Sequence, residues 1–366
     1  MNWDQARKLL QIARARAEGA RDERQHADSP RPVETSRESD APRDAEPQRH
    51  AEPARSVEPS RPADPARHAE TPRAADHVRH VELPRPAEHA RHDRASAARA
   101  HSLCIASGKG GTGKTVVSAS LAALLAKRAR TLIVDADLGV GNAHILQNLC
   151  PEHSFVDVIE GRLSVRDVRV ACRPQLDLVA GGSGVSRMAG LTPYEMHLVA
   201  VGIESVEGEY EHVLVDSAAG ISNQTIAFAA ASDVVLIVTT PDVTALTDAY
   251  AFLKVLLQRK SDIVPLFVVN RAADENEALH VAERLRGVAR KFLGREPRYA
   301  GWLPDDHTVM ECVNARAPVV VRAGDSPFAQ ALAPVFAQIA AELDRVPARG
   351  LGRGLLRTVG YTPGLG

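Results

Sequence analysis

A glycine-rich run of nine residues, Ser107-Gly-Lys-Gly-Gly-Thr-Gly-Lys-Thr115, has the composition of a loop that wraps phosphate oxygens. Backbone N–H groups can enclose a phosphate only where the chain turns tightly and carries little side-chain bulk, and glycine meets both requirements. An apolar segment precedes the run and a helical segment follows it, so the positive end of a helix would face the anion. In such a P-loop, Lys114 would reach the β- and γ-phosphates and the Thr115 hydroxyl would bind Mg²⁺. The candidate phosphate-binding residues are Gly108, Lys109, Gly110, Gly111, Thr112, Gly113, Lys114 and Thr115.

The same glycines also fit the Gly-x-Gly-x-x-Gly spacing of a dinucleotide-binding turn. Asp135 follows about 20 residues later, where a ribose-binding acid would lie. In that fold the Lys-Thr pair directly after the third glycine has no assigned role, whereas in a P-loop both residues have one. We therefore favour the P-loop and keep a dinucleotide enzyme as the alternative.

Three aspartates follow apolar runs where a magnesium ligand and a catalytic acid are needed. Asp216 ends the run that begins at His212, which is the position of a Walker-B acid in the metal shell. An aspartate that only caps the next turn would look the same. Asp135 and Asp137 follow another apolar run. Asp137 lies clear of the predicted strand and is the better candidate to orient an attacking water, whereas Asp135 is expected to cap the turn.

A scaffold that brings strand ends together is predicted for residues 101–345, where apolar runs alternate with helical stretches. This alternation is typical of a doubly wound, mostly parallel α/β sheet. The predicted strands are 102–106, 131–135, 176–180, 212–216, 234–239, 263–270 and 299–303. The predicted helices are 114–128, 192–207, 221–231, 243–258, 276–291 and 326–343.

The flanking regions differ from this domain in composition. Residues 21–100 hold Leu83 as their only leucine and no isoleucine, phenylalanine or glycine, so they predict a disordered linker rich in proline, arginine, glutamate and histidine. Residues 1–20 have the apolar stripe of an amphipathic helix. Residues 346–366 contain six glycines and two prolines and are predicted to form a flexible tail.

The overall composition excludes several classes of protein. A net charge of −1, from 45 Lys and Arg against 46 Asp and Glu, excludes a strongly basic nucleic-acid coat and an acidic tail protein. No apolar run is long enough to span a membrane, and the N-terminal residues lack a secretory signal, so we expect a cytoplasmic protein. The four cysteines are scattered and predict reduced, mostly buried thiols without a disulfide or metal site.

The P-loop resembles the deviant Walker A motif of the MinD/ParA ATPases, because a lysine, Lys109, lies inside it. The resemblance implies a P-loop ATPase that binds ATP and Mg²⁺ and forms an ATP-dependent homodimer. In that family, the lysine corresponding to Lys109 crosses the dimer interface to the partner's nucleotide. A lysine at this place has no obvious carboxylate partner within its own chain, and this absence favours a role across the interface, where it would neutralise charge.

Several stretches resemble more specifically the FlhG-like branch of this family, which regulates flagellar number and placement. The stretches begin at Asp135, Asp216, Thr239, Val268 and Gly301. This resemblance covers residues 101–345 and implies that the adenine is surrounded by Asn270, Pro304 and Asp305.

The N-terminal segment also resembles the FlhG-like branch, whose members begin with a segment that stimulates the SRP-type GTPase FlhF. Here the matching residues include Asp4, Gln5 and Leu9, and Gln5 would orient water in the GTPase. The resemblance further suggests flagellar C-ring or transcriptional regulator proteins as partners, and a weak peripheral contact with the inner face of the cell membrane. It suggests no specific nucleic acid. The alternatives are another positioning ATPase of the MinD/ParA type, acting in cell division or partition, and a nucleotide-gated scaffold with little turnover.

Overall fold

The computed structural model describes residues 99–182 and 190–360 of the chain. Within these residues eight strands form one sheet. They are β1 His101–Ser107, β2 Thr131–Ala136, β3 Arg169–Arg173, β4 Leu176–Val179, β5 His212–Ala219, β6 Val234–Thr239, β7 Leu266–Ala272 and β8 Arg298–Pro304. Their order across the sheet is β3-β4-β2-β5-β1-β6-β7-β8. All neighbours are parallel except β3 and β4, which pair antiparallel at one edge.

Helices connect the strands and cover both faces of the sheet. They are α1 Lys114–Leu125, α2 Phe155–Ile159, α3 Val165–Val168, α4 Pro193–Glu207, α5 Asn223–Ala231, α6 Val243–Arg259, α7 Glu275–Leu293, α8 Thr308–Asn314, α9 Val319–Arg322, α10 Pro327–Arg345 and α11 Leu351–Val359. A short 3₁₀ turn lies at Ile145–Gln147.

Buried apolar side chains form a core layer on each face of the sheet. Along β1, Leu103 and Ile105 belong to one layer, and Cys104 and Ala106 belong to the other. A strand buried on both faces reads as a continuous apolar run, which explains why the central strands were predictable from the sequence. The prediction of a doubly wound, mostly parallel sheet is confirmed.

One strand and four short helices were not predicted. The strand, β3, lies at the sheet edge, and none of its five residues is fully buried. Its sequence has only three consecutive apolar residues between two arginines, which is too short a run to indicate a strand. The short helices α2, α3, α8 and α9 have seven residues or fewer, which is too short for a periodic pattern.

The prediction of a flexible tail over 346–366 is wrong for the helix α11, which packs against α4 and α5. Its glycines lower helix propensity, but they also allow a close approach between backbones. A Cβ added at Gly352 would lie 2.7 Å from the Ala200 carbonyl oxygen, and one added at Gly354 would collide with the Ala231 carbonyl. The same residues that argued against a helix therefore allow this helix to dock.

Some predictions fall outside the described residues. They concern the amphipathic segment 1–20 and the linker 21–100, of which only the last two residues are described. Among the described residues, no helix is long and apolar enough to cross a membrane. Of the four cysteines, Cys104 and Cys312 are buried, whereas Cys150 is exposed and Cys172 is half-buried.

Candidate nucleotide-binding site

The glycine-rich loop lies at the centre of the sheet, between the end of β1 and the start of α1. Gly111 and Gly113 have φ angles of 82° and 86°, a conformation that favours glycine. A Cβ added at Gly110 or Gly111 would meet no atom within 4 Å, so the loop backbone faces open space. At Gly108 an added Cβ would collide with the Asp248 backbone, because α6 packs directly on the loop. The loop is thus closed on its α6 side and open where an anion would enter.

The N-terminal amide groups of α1 have no side-chain cap. Gly113 occupies the N-cap position, and the first turn holds no acidic residue. Six other helices instead begin with a side chain that accepts a hydrogen bond from a backbone N–H: Ser154, Thr192, Ser222, Asp242, Asp274 and Ser326. In addition, the Thr112 hydroxyl is buried and has no hydrogen-bond partner among the described residues. These donors fit a phosphate group, which would supply the missing acceptors.

Lys114 and Asp216 form a buried ion pair below the loop. Lys114 Nζ lies 2.8 Å from Asp216 Oδ1, and the Ser118 hydroxyl donates to the same oxygen at 2.8 Å. Burial alone would lower the pKa of Lys114, but the Asp216 carboxylate outweighs it and the pKa is raised. The role of Ser118 was not predicted from the sequence. Its position four residues after Lys114, on the same face of α1, is the signal that could have found it.

Asp135 anchors the loop that carries Asp137. Its buried carboxyl group accepts hydrogen bonds from the Asp137 N–H at 3.2 Å and the Ala143 N–H at 3.1 Å. It therefore caps this turn, as expected. Burial, together with the Asp216 carboxylate, raises the pKa of Asp135 to about 8. Asp137 is half-buried, and its own carboxylate accepts the Val140 N–H at 3.2 Å.

Asn270 contacts the P-loop directly. Its side-chain amide donates to the Thr112 carbonyl at 2.8 Å, and the residue is 4% exposed. This bracing role was not predicted, because the two residues are 158 positions apart. Pro304 and Asp305 lie at the end of β8, the strand next to β7, and Asp305 is exposed. Asn270 and Pro304 thus lie on the adjacent strands β7 and β8, and Asp305 directly follows β8. Their contact with adenine stays a prediction.

Lys109 has a partner within its own chain, so the expectation that it has none is wrong. Its Nζ atom lies 2.6 Å from Asp242 Oδ2 and 2.6 Å from the Thr244 hydroxyl. Asp242 is the N-cap of α6, and its other oxygen accepts the Thr244 N–H at 2.8 Å. The sequence brings these residues together only through the fold, because Lys109 and Asp242 are 133 positions apart.

Comparison with known proteins gives the family. The model of the CobQ/CobB/MinD/ParA nucleotide-binding domain matches residues 103–319, which is more than half of the chain. The chain belongs to this MinD/ParA family. Membership favours the P-loop interpretation of the glycine motif over the dinucleotide-binding one.

Two curated relatives of this MinD/ParA protein have names that refer to antiactivation or flagella. The antiactivator FleN of Pseudomonas aeruginosa is 34% identical over 219 residues, which are 59% of this chain and 78% of FleN. The flagellum site-determining protein YlxH of Helicobacter pylori is 29% identical over 265 residues, 71% of this chain and 90% of YlxH.

A solved structure of a MinD protein has the same fold. It is the septum site-determining protein MinD of Pyrococcus horikoshii in complex with Mg-ADP, with a TM-score of 0.56 and 23% sequence identity. The match covers 66% of this chain and 96% of that one. The remaining site predictions, Asp4, Gln5 and Leu9, lie outside the described residues.

Proposed function

We propose that this chain is an ATP-dependent molecular switch, a slow ATPase whose dimerisation controls the number and placement of flagella. The buried Lys114–Asp216 pair below an uncapped glycine loop is the observation that carries the nucleotide-binding part. The similarity to FleN and YlxH supports the flagellar part.

The residues of the site fit a nucleoside triphosphate and magnesium. The loop amides and Lys114 would hold the phosphates, and the Thr115 hydroxyl and the Asp216 carboxylate would hold Mg²⁺. When a phosphate replaces Asp216 as the partner of Lys114, the Asp216 carboxylate becomes available to the metal. Magnesium, when bound, offsets the negative charge of the phosphates. Asp137 would orient the attacking water and accept its proton.

Dimerisation would place Lys109 of each subunit on the nucleotide of the other. Substitution of Asp137 by alanine should then slow hydrolysis and leave ATP binding intact, so that the dimer accumulates. Light scattering with ATP should show a dimer for Asp137→Ala. A protein that stays monomeric with ATP would contradict this part of the proposal.

The partner of the N-terminal segment would be an FlhF-type GTPase, with Gln5 orienting water in the partner's site. Flagellar C-ring or transcriptional regulator proteins, and a weak contact with the membrane surface, complete the proposed set of interactions. The Gln5→Ala variant should stimulate the cognate GTPase less and keep its own ATPase activity. If both activities fell together, the segment would not act on the GTPase separately from the ATPase domain.

Calorimetry on the full chain tests the nucleotide site. We expect ATP to bind with a strong dependence on Mg²⁺, and Lys114→Ala to lose this binding. The matched control is Lys127→Ala, which removes an exposed lysine shortly after the end of the same helix and should bind as the wild type does. Binding that is absent, or independent of magnesium, would refute the proposed site. The number of flagella per cell, counted in cells whose only copy of the protein is Asp137→Ala, would then test the proposed control of flagellar number.

A further inference from the structure

The lysine inside the P-loop is held by the start of α6. Lys109 Nζ contacts both the Asp242 carboxylate and the Thr244 hydroxyl at 2.6 Å. The side chains of Lys109 and Asp242 are 33% and 49% exposed, so this pair lies at the surface that the open loop presents. Neither Asp242 nor Thr244 has a role in the proposed nucleotide site. The contact therefore needs an explanation of its own.

Hydrogen bonds around Asp242 fix its side chain in a position to bind the Lys109 ammonium group. One carboxylate oxygen accepts the Thr244 N–H at 2.8 Å, which fixes the side chain as the cap of α6 and leaves the other oxygen for Lys109. The Thr244 hydroxyl is 3.0 Å from each Asp242 oxygen. The hydrogen bond from Lys109, followed by the Thr244 N–H, lowers the pKa of Asp242 to about 2. The carboxylate is thus charged at every physiological pH.

The backbone fixes the distance between the two partners. Gly108 lies so close to α6 that a Cβ there would lie 2.6 Å from the Ala249 nitrogen. The Ser107 hydroxyl donates to the Lys109 carbonyl at 2.9 Å, a local hydrogen bond that fixes the turn at Lys109. Because loop and helix are packed together, the lysine can reach Asp242 without any movement of the backbone.

We propose that Asp242 and Thr244 form a holding site that keeps Lys109 on its own subunit until the nucleotide of a second copy of this chain displaces the Asp242 carboxylate. This inference rests on the proposed function, because it requires that Lys109 act across a dimer. The nucleotide's phosphates and Asp242 compete as anions for one ammonium group. Asp242 would thereby set the protein concentration at which the ATP-bound chain dimerises.

The expected effect is moderate. Exposed ion pairs contribute little individually, so the holding site should set a threshold rather than block the dimer. A symmetric dimer must open two of these contacts, and the two effects multiply. If each contact changes the equilibrium by about threefold, the dissociation constant of the dimer changes by about tenfold.

Asp242→Asn is the direct test, because asparagine keeps an oxygen for the Thr244 N–H and removes the charge. We expect the full-length variant, saturated with ATP and magnesium in an Asp137→Ala background, to dimerise at about tenfold lower concentration in sedimentation equilibrium. Asp274→Asn is the matched control, since it makes the same change at the N-cap of α7 and should leave the threshold unchanged. An Asp242→Asn threshold equal to that of the background would overturn the holding site.

A second measurement separates this inference from the proposed dimer. The pKa of Asp242, followed by carboxyl carbon NMR in the nucleotide-free full chain, should rise toward its ordinary value when Lys109 is changed to methionine. An unchanged pKa would show that the pair does not form, even if ATP drives dimerisation. If the pKa rises but ATP yields no dimer in any variant, the Lys109–Asp242 contact is present but the proposed dimerisation is refuted. The holding role is then refuted as well, because it requires the dimer.

Discussion

Asp135 and Asp216 are register partners on the neighbouring strands β2 and β5, and both carboxylates are buried beside Lys114. Two buried acids this close cannot both be charged at little cost, and one lysine cannot neutralise both. Lys114 hydrogen-bonds to Asp216, so the proton belongs on Asp135. The nucleotide-free site therefore holds one charged carboxylate and one neutral carboxyl group.

This arrangement predicts a pH-dependent stability. Because the pKa of Asp135 is raised to about 8 from about 3.9 in an unfolded chain, the folded protein keeps a proton that the unfolded chain has lost. The free energy of unfolding should therefore fall as pH rises from about 4 to 8, by at most about 1.4 kcal/mol per pH unit for one proton. Urea unfolding of the nucleotide-free protein at several pH values measures this slope.

The variant Asp135→Asn should lose the part of the slope that Asp135 contributes. Asp344→Asn changes an exposed aspartate and is the control, which should keep the wild-type slope. Equal slopes for Asp135→Asn and the wild type would show that Asp135 is already charged in the folded protein.

The buried ion pair predicts an asymmetry between single and double substitutions. Asp216→Ala leaves the Lys114 ammonium buried without its partner and should lower the free energy of unfolding by about 3–5 kcal/mol. Adding Lys114→Met removes the unpaired charge and should restore much of this loss. Urea unfolding of the nucleotide-free proteins measures both. The exposed pair of Arg128 and Asp344 provides the control, since Asp344→Ala should cost about 0–1 kcal/mol. Additive losses in the double variant would argue against a buried pair.

The bracing contact of Asn270 predicts how nucleotide binding fails when it is lost. Asn270→Ala removes the donor to the Thr112 carbonyl and should weaken binding by about 5- to 10-fold, the value of one hydrogen bond of about 1 kcal/mol or slightly more. If Asn270 only braces the loop, the affinities for ATP and for GTP should fall by the same factor. If Asn270 also contacts adenine, the affinity for ATP should fall more than that for GTP. Asn276→Ala, an exposed change nearby on α7, should bind as the wild type does, and normal binding by Asn270→Ala would exclude both roles.

The parts of the site that the sequence predicted are those whose signals are local. The P-loop is contiguous, and Asp135 and Asp216 each follow an apolar strand, so spacing alone indicated their positions. The contacts Asn270–Thr112 and Lys109–Asp242 join residues 158 and 133 positions apart. No local pattern encodes such a contact, because it depends on which strands the fold places side by side. Ser118 lies between these two cases. Helical spacing places it beside Lys114, but only the fold brings Asp216 into contact with both residues.

The tail helix shows the opposite failure, in which a correct local signal gave a wrong prediction. Glycine costs up to about 1 kcal/mol in a helix interior relative to alanine, and two glycines within three residues argued against any helix at 351–359. Tertiary packing outweighs this cost, because α11 buries Leu351 and Leu355 against α4 and α5. The buried Glu207 carboxylate also accepts the Gly352 N–H at 3.0 Å and so caps the start of the helix.

Alanine substitution of these glycines should therefore destabilise the protein although it raises helix propensity. A Cβ at Gly352 or Gly354 has no space against the α4 and α5 backbones, and an overpacked contact of this kind typically costs about 1–3 kcal/mol. Gly287 is the control, because it lies within α7 and an added Cβ would meet nothing within 4 Å. Gly287→Ala should stabilise the protein by up to about 1 kcal/mol. In thermal unfolding, Gly352→Ala and Gly354→Ala should therefore lower the melting temperature, whereas Gly287→Ala should raise it. A higher melting temperature for Gly354→Ala would show that α11 is not docked as described.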